Sequence, residues 1–254
     1  RQTWGAGDYA QVGATLQIVG EQLAESLALR AGQQVLDVAA GNGNFSLAAA
    51  RRCTRVTSTD FVPALLEKGR IRALADGFDI DFRTADAEDL PFADGHFDVA
   101  ASVYGVMFTP NHRQSAMEMA RVVRSGGKIG LANWTPQGFI GRLFKTIGGR
   151  IPNGLPSPAL WGTREHIEEL FGSAIADISI ERRHFNFRYT SIESWLENFK
   201  RVYGPVKNAY AALDDAEQSA LQTDFLALLN ELNSVDDGTM VVPGEYLEII
   251  ITRA

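Results

Sequence analysis

The feature that most constrains the fold is a short apolar run that ends in a glycine-rich turn and continues as a helix. This stretch reads QVLDVAAGNGNFSLAAA and covers residues 34–50. A buried strand that passes through such a turn into a helix is typical of parallel α/β sheets, which bind ligands at this end of the strand. The sequence therefore predicts a ligand site at the turn, where Gly41 and Gly43 let the backbone approach the ligand.

A carboxylate follows the next apolar run of the chain. Asp60 ends the segment RVTSTD and lies nineteen residues after Gly41. In nucleotide-binding sheets a carboxylate at this place accepts hydrogen bonds from ribose hydroxyls. Phe61 comes next and has two interpretations, contact with the face of an adenine or simple packing. These positions predict a cofactor that contains a nucleoside.

The glycines of the turn indicate whether this cofactor is a nicotinamide dinucleotide. A dinucleotide-binding turn has the pattern G-x-G-x-x-G, whereas this chain has Ser46 at the third glycine position. That third glycine allows the close packing of helix against strand in dinucleotide-binding folds. The sequence therefore disfavours a nicotinamide-dependent oxidoreductase, which stays as an alternative.

Three ordered motifs carry a resemblance to a known family. They are VLDVAAGNG at residues 35–43, DFRTADAEDLPFADGHFDVAAS at 81–102 and RVVRSGGKIGLANW at 121–134. In these motifs the chain resembles the class I S-adenosylmethionine-dependent methyltransferases, in particular the branch that contains the ubiquinone and menaquinone biosynthesis methyltransferases. It departs from that family's VLDVGCGTG at Ala39 and Ala40, and from its Pro-Gly-Gly turn at Ser125.

The resemblance implies a Rossmann-like α/β fold. Its parts are a mostly parallel seven-stranded sheet with helices on both faces, an antiparallel C-terminal strand and a small helical cap. The implied cofactor is S-adenosylmethionine, and the implied activity is methyl transfer to a small molecule with release of S-adenosylhomocysteine. A cofactor-binding module without catalysis stays as an alternative because of the departures at Ala39 and Ala40.

The resemblance also implies which residues hold the cofactor. Asp37 would orient the methionine end, although a buried acid that caps loop amides is an equal interpretation. Asp86 and Ala87 would bind the adenine, and the end of the fourth strand would face the transferred methyl group. The complete implied set is Asp37, Ala39, Gly41, Gly43, Asp60, Phe61, Asp86, Ala87, Ser102, Val103, Tyr104 and Tyr9.

No side chain is singled out as a catalytic group. Methyl transfer from a sulfonium depends mainly on placement of donor and nucleophile in a dry pocket. If a base is needed, His112, Tyr104 and Tyr9 are the candidates, since they are predicted to border the acceptor. The sequence has no Cys-His metal spacing, so we predict no metal site.

Strand and helix signals divide the chain into three parts of one domain. Residues 1–134 are predicted to form the cofactor-binding core with an N-terminal helix over 9–29. Residues 135–162, rich in glycine and proline, are predicted to form a loop or a partly helical excursion near the site. Residues 163–254 complete the sheet, with a helical cap inserted at 191–233.

The periodicity predicts the individual elements. Strands are expected over residues 34–39, 55–59, 79–84, 97–102, 128–134 and 176–189 and in the C-terminal YLEIIITRA. Helices are expected over 44–53, 63–75, 112–123, 164–171 with Thr163 as its cap, 191–203 and 214–233.

Aromatic residues in the predicted cap region indicate the kind of acceptor. An apolar or aromatic small molecule would suit them, but the core of a small helical cap explains the same residues. They are Phe139, Phe144, Trp161, Trp195, Phe199, Tyr203 and Tyr210.

Composition restricts the partners. The net charge is −7, which disfavours a nucleic-acid backbone as the partner. Basic residues do concentrate within 121–150, where solvated faces and helix ends are the simpler explanation. The single cysteine, Cys53, requires no oxidising compartment, and no apolar run approaches the roughly 20 residues of a membrane span. We therefore expect a cytoplasmic location, and we predict no particular oligomeric state.

Overall fold

The computed structural model describes residues 9–151 and 154–254. The side chain of Tyr9, residues 1–8 and residues 152–153 lie outside this description. Trp4 and Asp8, which the sequence places before the N-terminal helix, therefore lie outside it as well.

Seven strands form one sheet. They are β1 Gln34–Val38, β2 Arg55–Asp60, β3 Asp81–Thr84, β4 Phe97–Val103, β5 Val123–Trp134, β6 Ile175–Tyr189 and β7 Met240–Arg253. Their order is β3-β2-β1-β4-β5-β7-β6. Strands β1 to β5 pair in parallel, and β7 lies antiparallel between β5 and β6. The predicted mostly parallel sheet with an antiparallel C-terminal strand is thus confirmed.

Helices connect the strands and cover the sheet. They are α1 Tyr9–Thr15, α2 Gln17–Ser26, α3 Asn44–Ala50, α4 Pro63–Ala75, α5 His112–Val122, α6 Phe139–Arg150, α7 Arg164–Phe171, α8 Ile192–Val202, α9 Gly204–Ala212 and α10 Asp215–Leu232. Short 3₁₀ helices cover Val106–Phe108, Pro158–Gly162 and Gly172–Ala174. None of the helices in the described ranges combines the length and the apolar character that a membrane span requires.

Both faces of the parallel strands are buried. In β1, Val35 packs into a cluster with Leu23 of α2 and Phe45 of α3, whereas Leu36 packs into a second cluster with Met119 of α5. Successive side chains of a strand point to opposite faces, so a strand buried on both sides has a continuous apolar run. This explains why β1 carries the clear signal VLDV.

The N-terminal helix differs from the prediction. A single helix over 9–29 was wrong, because α1 ends at Thr15 and α2 begins at Gln17, with a break at buried Leu16. The carbonyl of Gly13 accepts hydrogen bonds from the Leu16 N–H (3.0 Å) and from Asn44 Nδ2 (2.6 Å). The side chain of Asn44 therefore fixes the end of α1 against the glycine-rich turn.

The segment after β5 is largely helical. A partly helical excursion was one of the two forms that the sequence predicted for it, the other being a loop. Helix α6 follows Gly138, whose N–H donates to Thr135 Oγ1 at 3.1 Å. A Cβ at Gly141 would lie 2.1 Å from the Thr135 carbonyl oxygen, so α6 packs directly on the backbone that leaves β5.

The cap contains one helix more than predicted. Helices α8 and α10 begin with capping boxes, Ser191 with Ser194 and Asp214 with Glu217. Helix α9 lies between them, with Pro205 in its first turn. Thr163 occupies the N-cap position of α7 as predicted, but its Oγ1 donates to the Leu160 carbonyl and makes no capping hydrogen bond.

Gly141→Ala should destabilise the protein, because its Cβ has no space against the Thr135 backbone. We expect the free energy of unfolding to fall by at least about 1–3 kcal/mol. Gly149→Ala in the same helix is the control: its Cβ meets nothing within 4 Å, and we expect a gain of about 0.5–1 kcal/mol. Urea denaturation measures both, and equal effects would contradict the packing of α6.

Candidate functional site

A cavity of about 430 Å³ opens at the carboxyl ends of β1, β2 and β4. Ligands of open α/β sheets bind at this edge. From the strand ends and the turns after them, the lining residues are Asp37, Ala39, Ala40, Gly41, Asn42, Asn44, Phe45, Asp60, Phe61, Leu65, Ala85, Asp86, Ala87, Glu88, Val103, Tyr104 and Gly105. The 3₁₀ turn after β4 adds Met107, Phe108, Thr109 and Pro110, and α1 with its break adds Gly13 and Leu16.

Asp60 ties the end of β2 to the glycine-rich turn. Its Oδ2 accepts a hydrogen bond from the Gly41 N–H at 2.9 Å, and its Oδ1 accepts one from the Val62 N–H at 2.8 Å. Burial raises the pKa of this carboxyl, and the backbone donors oppose that shift. Each carboxylate oxygen has two lone pairs, so both oxygens can still accept a hydroxyl of a ligand in the cavity.

Asp37 caps the helix that follows the turn. Its Oδ2 accepts hydrogen bonds from the Ser46 N–H at 2.9 Å and from Ser46 Oγ at 2.6 Å. Burial raises the pKa of Asp37 to about 7, against the opposing effect of the Ser46 hydrogen bonds. The structure thus shows the capping interaction, while the same residue also lines the cavity.

Two residues other than glycine adopt left-handed backbone conformations at the cavity. Ala39, with φ +52°, follows β1, and Tyr104, with φ +55°, follows β4. This conformation costs an L-residue roughly 1–2 kcal/mol. A Cβ at Gly105 would lie 2.2 Å from the Ala39 carbonyl oxygen, so the two turns pack against each other without room for a side chain. Such backbone conformations are concentrated at functional sites.

The ring of Tyr104 is held by stacking. It lies parallel to Trp134 at the end of β5, with ring centroids 3.8 Å apart and an interplanar angle of 1°. Tyr246 of β7 meets the same ring edge-on at 5.7 Å. Aromatic pairs in such geometries add stability beyond the area they bury, so the cavity wall is rigid at this point.

The turn after β3 also faces the cavity. Asp86 and Ala87 line it, and Asp86 Oδ1 accepts a hydrogen bond from the Glu88 N–H at 3.0 Å. Glu88 Oε1 in turn accepts a hydrogen bond from the Asn111 N–H at 2.7 Å. The loop before α5 is thereby connected to the turn that the sequence assigned to adenine binding.

Two of the predicted cofactor residues do not line the cavity. Ser102 is fully buried, and its Oγ donates to the Val38 carbonyl at 2.7 Å and accepts from the Val106 N–H at 2.9 Å. Gly43 precedes α3 with φ +82° and lies against Gly69 and Phe82. The hydroxyl of Ser102 is used by backbone hydrogen bonds, and Gly43 is fixed as the residue before α3. Both residues support the turns around the cavity without facing it.

His112 likewise lies away from the cavity. The first turn of α5 directs its ring toward α7, where Nδ1 lies 3.0 Å from His166 Nε2. Burial lowers the pKa of His112 to about 4, with a contribution from the charge of His166. Of the three predicted candidates for a base, Tyr104 alone lines the cavity within the described residues, and the side chain of Tyr9 lies outside them.

Sequence reasoning predicted that residues 135–162 lie near the site, but it named only Phe144 as a candidate from the wall opposite the strand ends. The residues of this wall are Phe144, Ile147, Gly148, Ile151, Leu155, Pro156, Pro158, Pro205, Asn208 and Ala209. They come from α6, the segment after it and α9. Among the seven aromatic residues predicted near the acceptor, Phe144 is the member that lines the cavity, whereas Phe139, Trp161, Trp195 and Phe199 are core. The Pro205 signal for a helix start was available in the sequence.

The described residues also show whether the requirements of a metal site are met. Within residues 9–151 and 154–254, no group of three or more His, Cys, Asp or Glu side chains is arranged to hold a metal ion.

The strand order, the glycine-rich turn after β1 and the carboxylate that ends β2 define a class I S-adenosylmethionine-dependent methyltransferase. A family model described as a methyltransferase domain matches residues 36–131. The uncharacterized protein Rv1403c of Mycobacterium tuberculosis is 40% identical over 254 residues, which cover 97% of this chain and 91% of the relative. The chain therefore belongs to the class I methyltransferases, in one family with this mycobacterial protein, and its cofactor is S-adenosylmethionine.

Two further comparisons agree with this assignment. The ubiquinone/menaquinone biosynthesis C-methyltransferase UbiE of Laribacter hongkongensis is 36% identical over 115 residues, 42% of this chain and 47% of the relative. The crystal structure of the YcgJ protein of Bacillus subtilis covers 95% of this chain and 99% of its own at a TM-score of 0.65 and 19% identity. The first confirms the resemblance in the motifs, and the second confirms the fold.

Ala39→Gly should stabilise the protein, because glycine adopts φ +52° without the steric cost that alanine bears. After the entropy cost of glycine we expect a net gain of about 0.5–1 kcal/mol in the free energy of unfolding. Ala40→Gly is the matched control, since Ala40 is not in a left-handed conformation, and it should lose about that much. Chemical denaturation that shows equal losses for both variants would contradict the role of the backbone conformation.

Proposed function

We propose that the protein transfers the methyl group of S-adenosylmethionine to a small apolar molecule and releases S-adenosylhomocysteine. The observation that carries this proposal is the division of the cavity into two ends. Carboxylates line the strand ends, at Asp37, Asp60 and Asp86, whereas α6 contributes Phe144 and Ile147 and is followed by Ile151. Most of the surface of a small-molecule site is apolar, and its few polar groups orient the ligand.

The strand-end residues fit the cofactor. Asp60 has carboxylate lone pairs available for ribose hydroxyls, and its bonds to Gly41 and Val62 hold it in place. Asp86 and Ala87 would border the adenine, with Phe61 beside them, and Val103 and Tyr104 the methionine end. When bound, S-adenosylmethionine supplies a methyl group on a positively charged sulfur, which is already activated for transfer to a nucleophile.

The chain itself positions the cofactor and the acceptor, and it excludes water from the space between them. Phe108 of the turn after β4 packs edge-on against Phe144 of α6, with ring centroids 5.6 Å apart. This contact joins the cofactor side of the cavity to the apolar wall. Of the three candidates for a base, Tyr104 is the one that lines the cavity within the described residues, and the proposal requires orientation of the two ligands without assigning it a proton transfer.

The two alternatives make different demands on the site. Ser46 occupies the third glycine position of a dinucleotide turn, and its Oγ bonds to Asp37 at 2.6 Å and lies 2.9 Å from Ser58 Oγ. This buried side chain stands where a dinucleotide-binding turn needs a glycine for the close packing of helix against strand, which argues against a nicotinamide cofactor. A catalytically silent module would bind the cofactor and show no turnover with any acceptor.

The ion pairs of the basic residues and the single cysteine support two further parts of the proposal, a partner other than nucleic acid and a cytoplasmic location. Four of the six basic residues within 121–150 form ion pairs: Arg121 with Glu118, Arg124 with Asp98, Arg142 with Glu231 and Arg150 with Asp224. Paired in this way they offer little to a phosphate backbone. A single free cysteine, Cys53, fits a reducing compartment such as the cytoplasm.

Asp60→Ala and Asp60→Asn should weaken cofactor binding, because hydrogen bonds to a charged acceptor contribute roughly 1.5–3 kcal/mol. We expect about a ten- to hundredfold loss of affinity for S-adenosylmethionine and S-adenosylhomocysteine in isothermal titration calorimetry. Asp60→Asn keeps the size of the side chain and one of the two acceptor oxygens, and thermal unfolding of both variants measures whether the fold is retained.

Asp81→Ala is the matched control for this titration. Asp81 begins the neighbouring strand β3, pairs with Arg83 and does not line the cavity. Affinity should stay within about twofold of the parent protein. Unchanged affinity in both Asp60 variants would remove Asp60 from the cofactor site.

Ile147→Glu should reduce transfer without affecting cofactor binding, because it places a charge in the apolar wall. The assay uses methyl-labelled S-adenosylmethionine, a panel of small phenols, amines and thiols, and counting of label extracted into organic solvent. We expect at least about a tenfold loss of turnover. Gly149→Glu adds the same charge in open space on the same helix and should keep activity. Activity confined to charged, water-soluble acceptors would contradict the proposal.

A further inference from the structure

Among the described residues, the apolar wall of the cavity contains one polar side chain. Of the ten residues that the chain after β5 contributes to the lining, nine have aliphatic, aromatic or proline side chains or are glycine. The exception is Asn208 of α9, which lies on the same helical face as Pro205 and Ala209, three residues before it and one after it.

The amide of Asn208 has no hydrogen bond to any part of the chain that the structure describes. Other polar groups near the acceptor end are engaged. Thr109 Oγ1 donates to the Val106 carbonyl at 2.9 Å and lies 2.8 Å from Ser115 Oγ, and Glu88 accepts from the Asn111 N–H. Asn208 is half-buried, so its amide exchanges water for a ligand group that can replace those hydrogen bonds. Asn208 is therefore available to a molecule in the cavity.

The helix that carries Asn208 is fixed on both sides. Val206 and Ala209 of α9 are buried in the core, and Gln218 Nε2 of α10 donates to the carbonyls of Tyr210 (2.8 Å) and Leu213 (2.9 Å). These bonds satisfy the carbonyls at the C-terminal end of α9. The backbone that carries the amide is thus fixed before a ligand arrives, so only the side chain of Asn208 has to be ordered on binding.

We propose that Asn208 determines acceptor specificity by hydrogen bonding to one polar group of an otherwise apolar acceptor. The proposal rests on the proposed function and makes the substrate class narrower. An amide both donates and accepts, so it recognises a hydroxyl or a carbonyl group on the acceptor. The acceptor is then an apolar molecule with a hydrogen-bonding group at the end that faces α9, and hydrocarbons of the same shape bind less well.

The test uses two probes of nearly equal shape, 2-naphthol and 2-methylnaphthalene, titrated into the protein saturated with S-adenosylhomocysteine. The parent protein should bind 2-naphthol about three- to tenfold more tightly, the ratio that one neutral hydrogen bond provides. Asn208→Leu keeps the side-chain size and should remove this preference. Asn230→Leu is the control: Asn230 is exposed on α10, outside the cavity, and the preference should persist.

The outcomes separate this proposal from the one on which it rests. If Asn208→Leu keeps the preference for 2-naphthol, or if the parent protein binds both probes equally, Asn208 does not determine acceptor specificity. The proposal of an apolar acceptor end is unaffected by that result. If neither probe binds to protein that does bind S-adenosylhomocysteine, the apolar acceptor end is wrong, and this proposal falls with it. Affinity for S-adenosylhomocysteine, measured in all three proteins, should be unchanged and reports on folding.

Discussion

The site depends on the hydrogen bond between the Asp60 carboxylate and the Gly41 N–H. This bond joins the ends of two parallel strands and sets the glycine-rich turn at a fixed distance from the carboxylate. Asp37 acts beside it by capping the first turn of α3 through Ser46. Two buried carboxyls therefore hold the backbone of the turn, and their burial is compensated because each accepts at least two hydrogen bonds.

The proposed acceptor side is built differently, from packed helices rather than from strand ends. Helix α6 lies directly on the backbone after β5, and two ion pairs, Arg142 with Glu231 and Arg150 with Asp224, connect its outer face to α10. Its inner face presents apolar side chains to the cavity. The strand ends can then keep one cofactor while the helical wall varies, which is how one fold serves different acceptors.

Much of the cofactor side was predictable because it is local in sequence. The turn at Gly41 and the position of Asp60 follow from the alternation of buried strands and helices, and the structure brings both to one cavity. Ser102 and His112 show the limit of such reasoning. Both lie at the expected ends of their elements, yet the hydroxyl of Ser102 is used by the backbone and the ring of His112 faces α7. Element boundaries do not specify the direction of a side chain.

The sequence by itself determined the order of strands and helices, the class of methyltransferase and the carboxylates at the strand ends, because periodicity and turn chemistry act over a few residues. Tertiary structure decided the break at Leu16, the use of Ala39 and Tyr104 in left-handed conformations, and the wall that brings Asn208 into the cavity. These features arise from contacts between segments that are distant in the chain, since packing of a helix against a remote turn overrides local propensity.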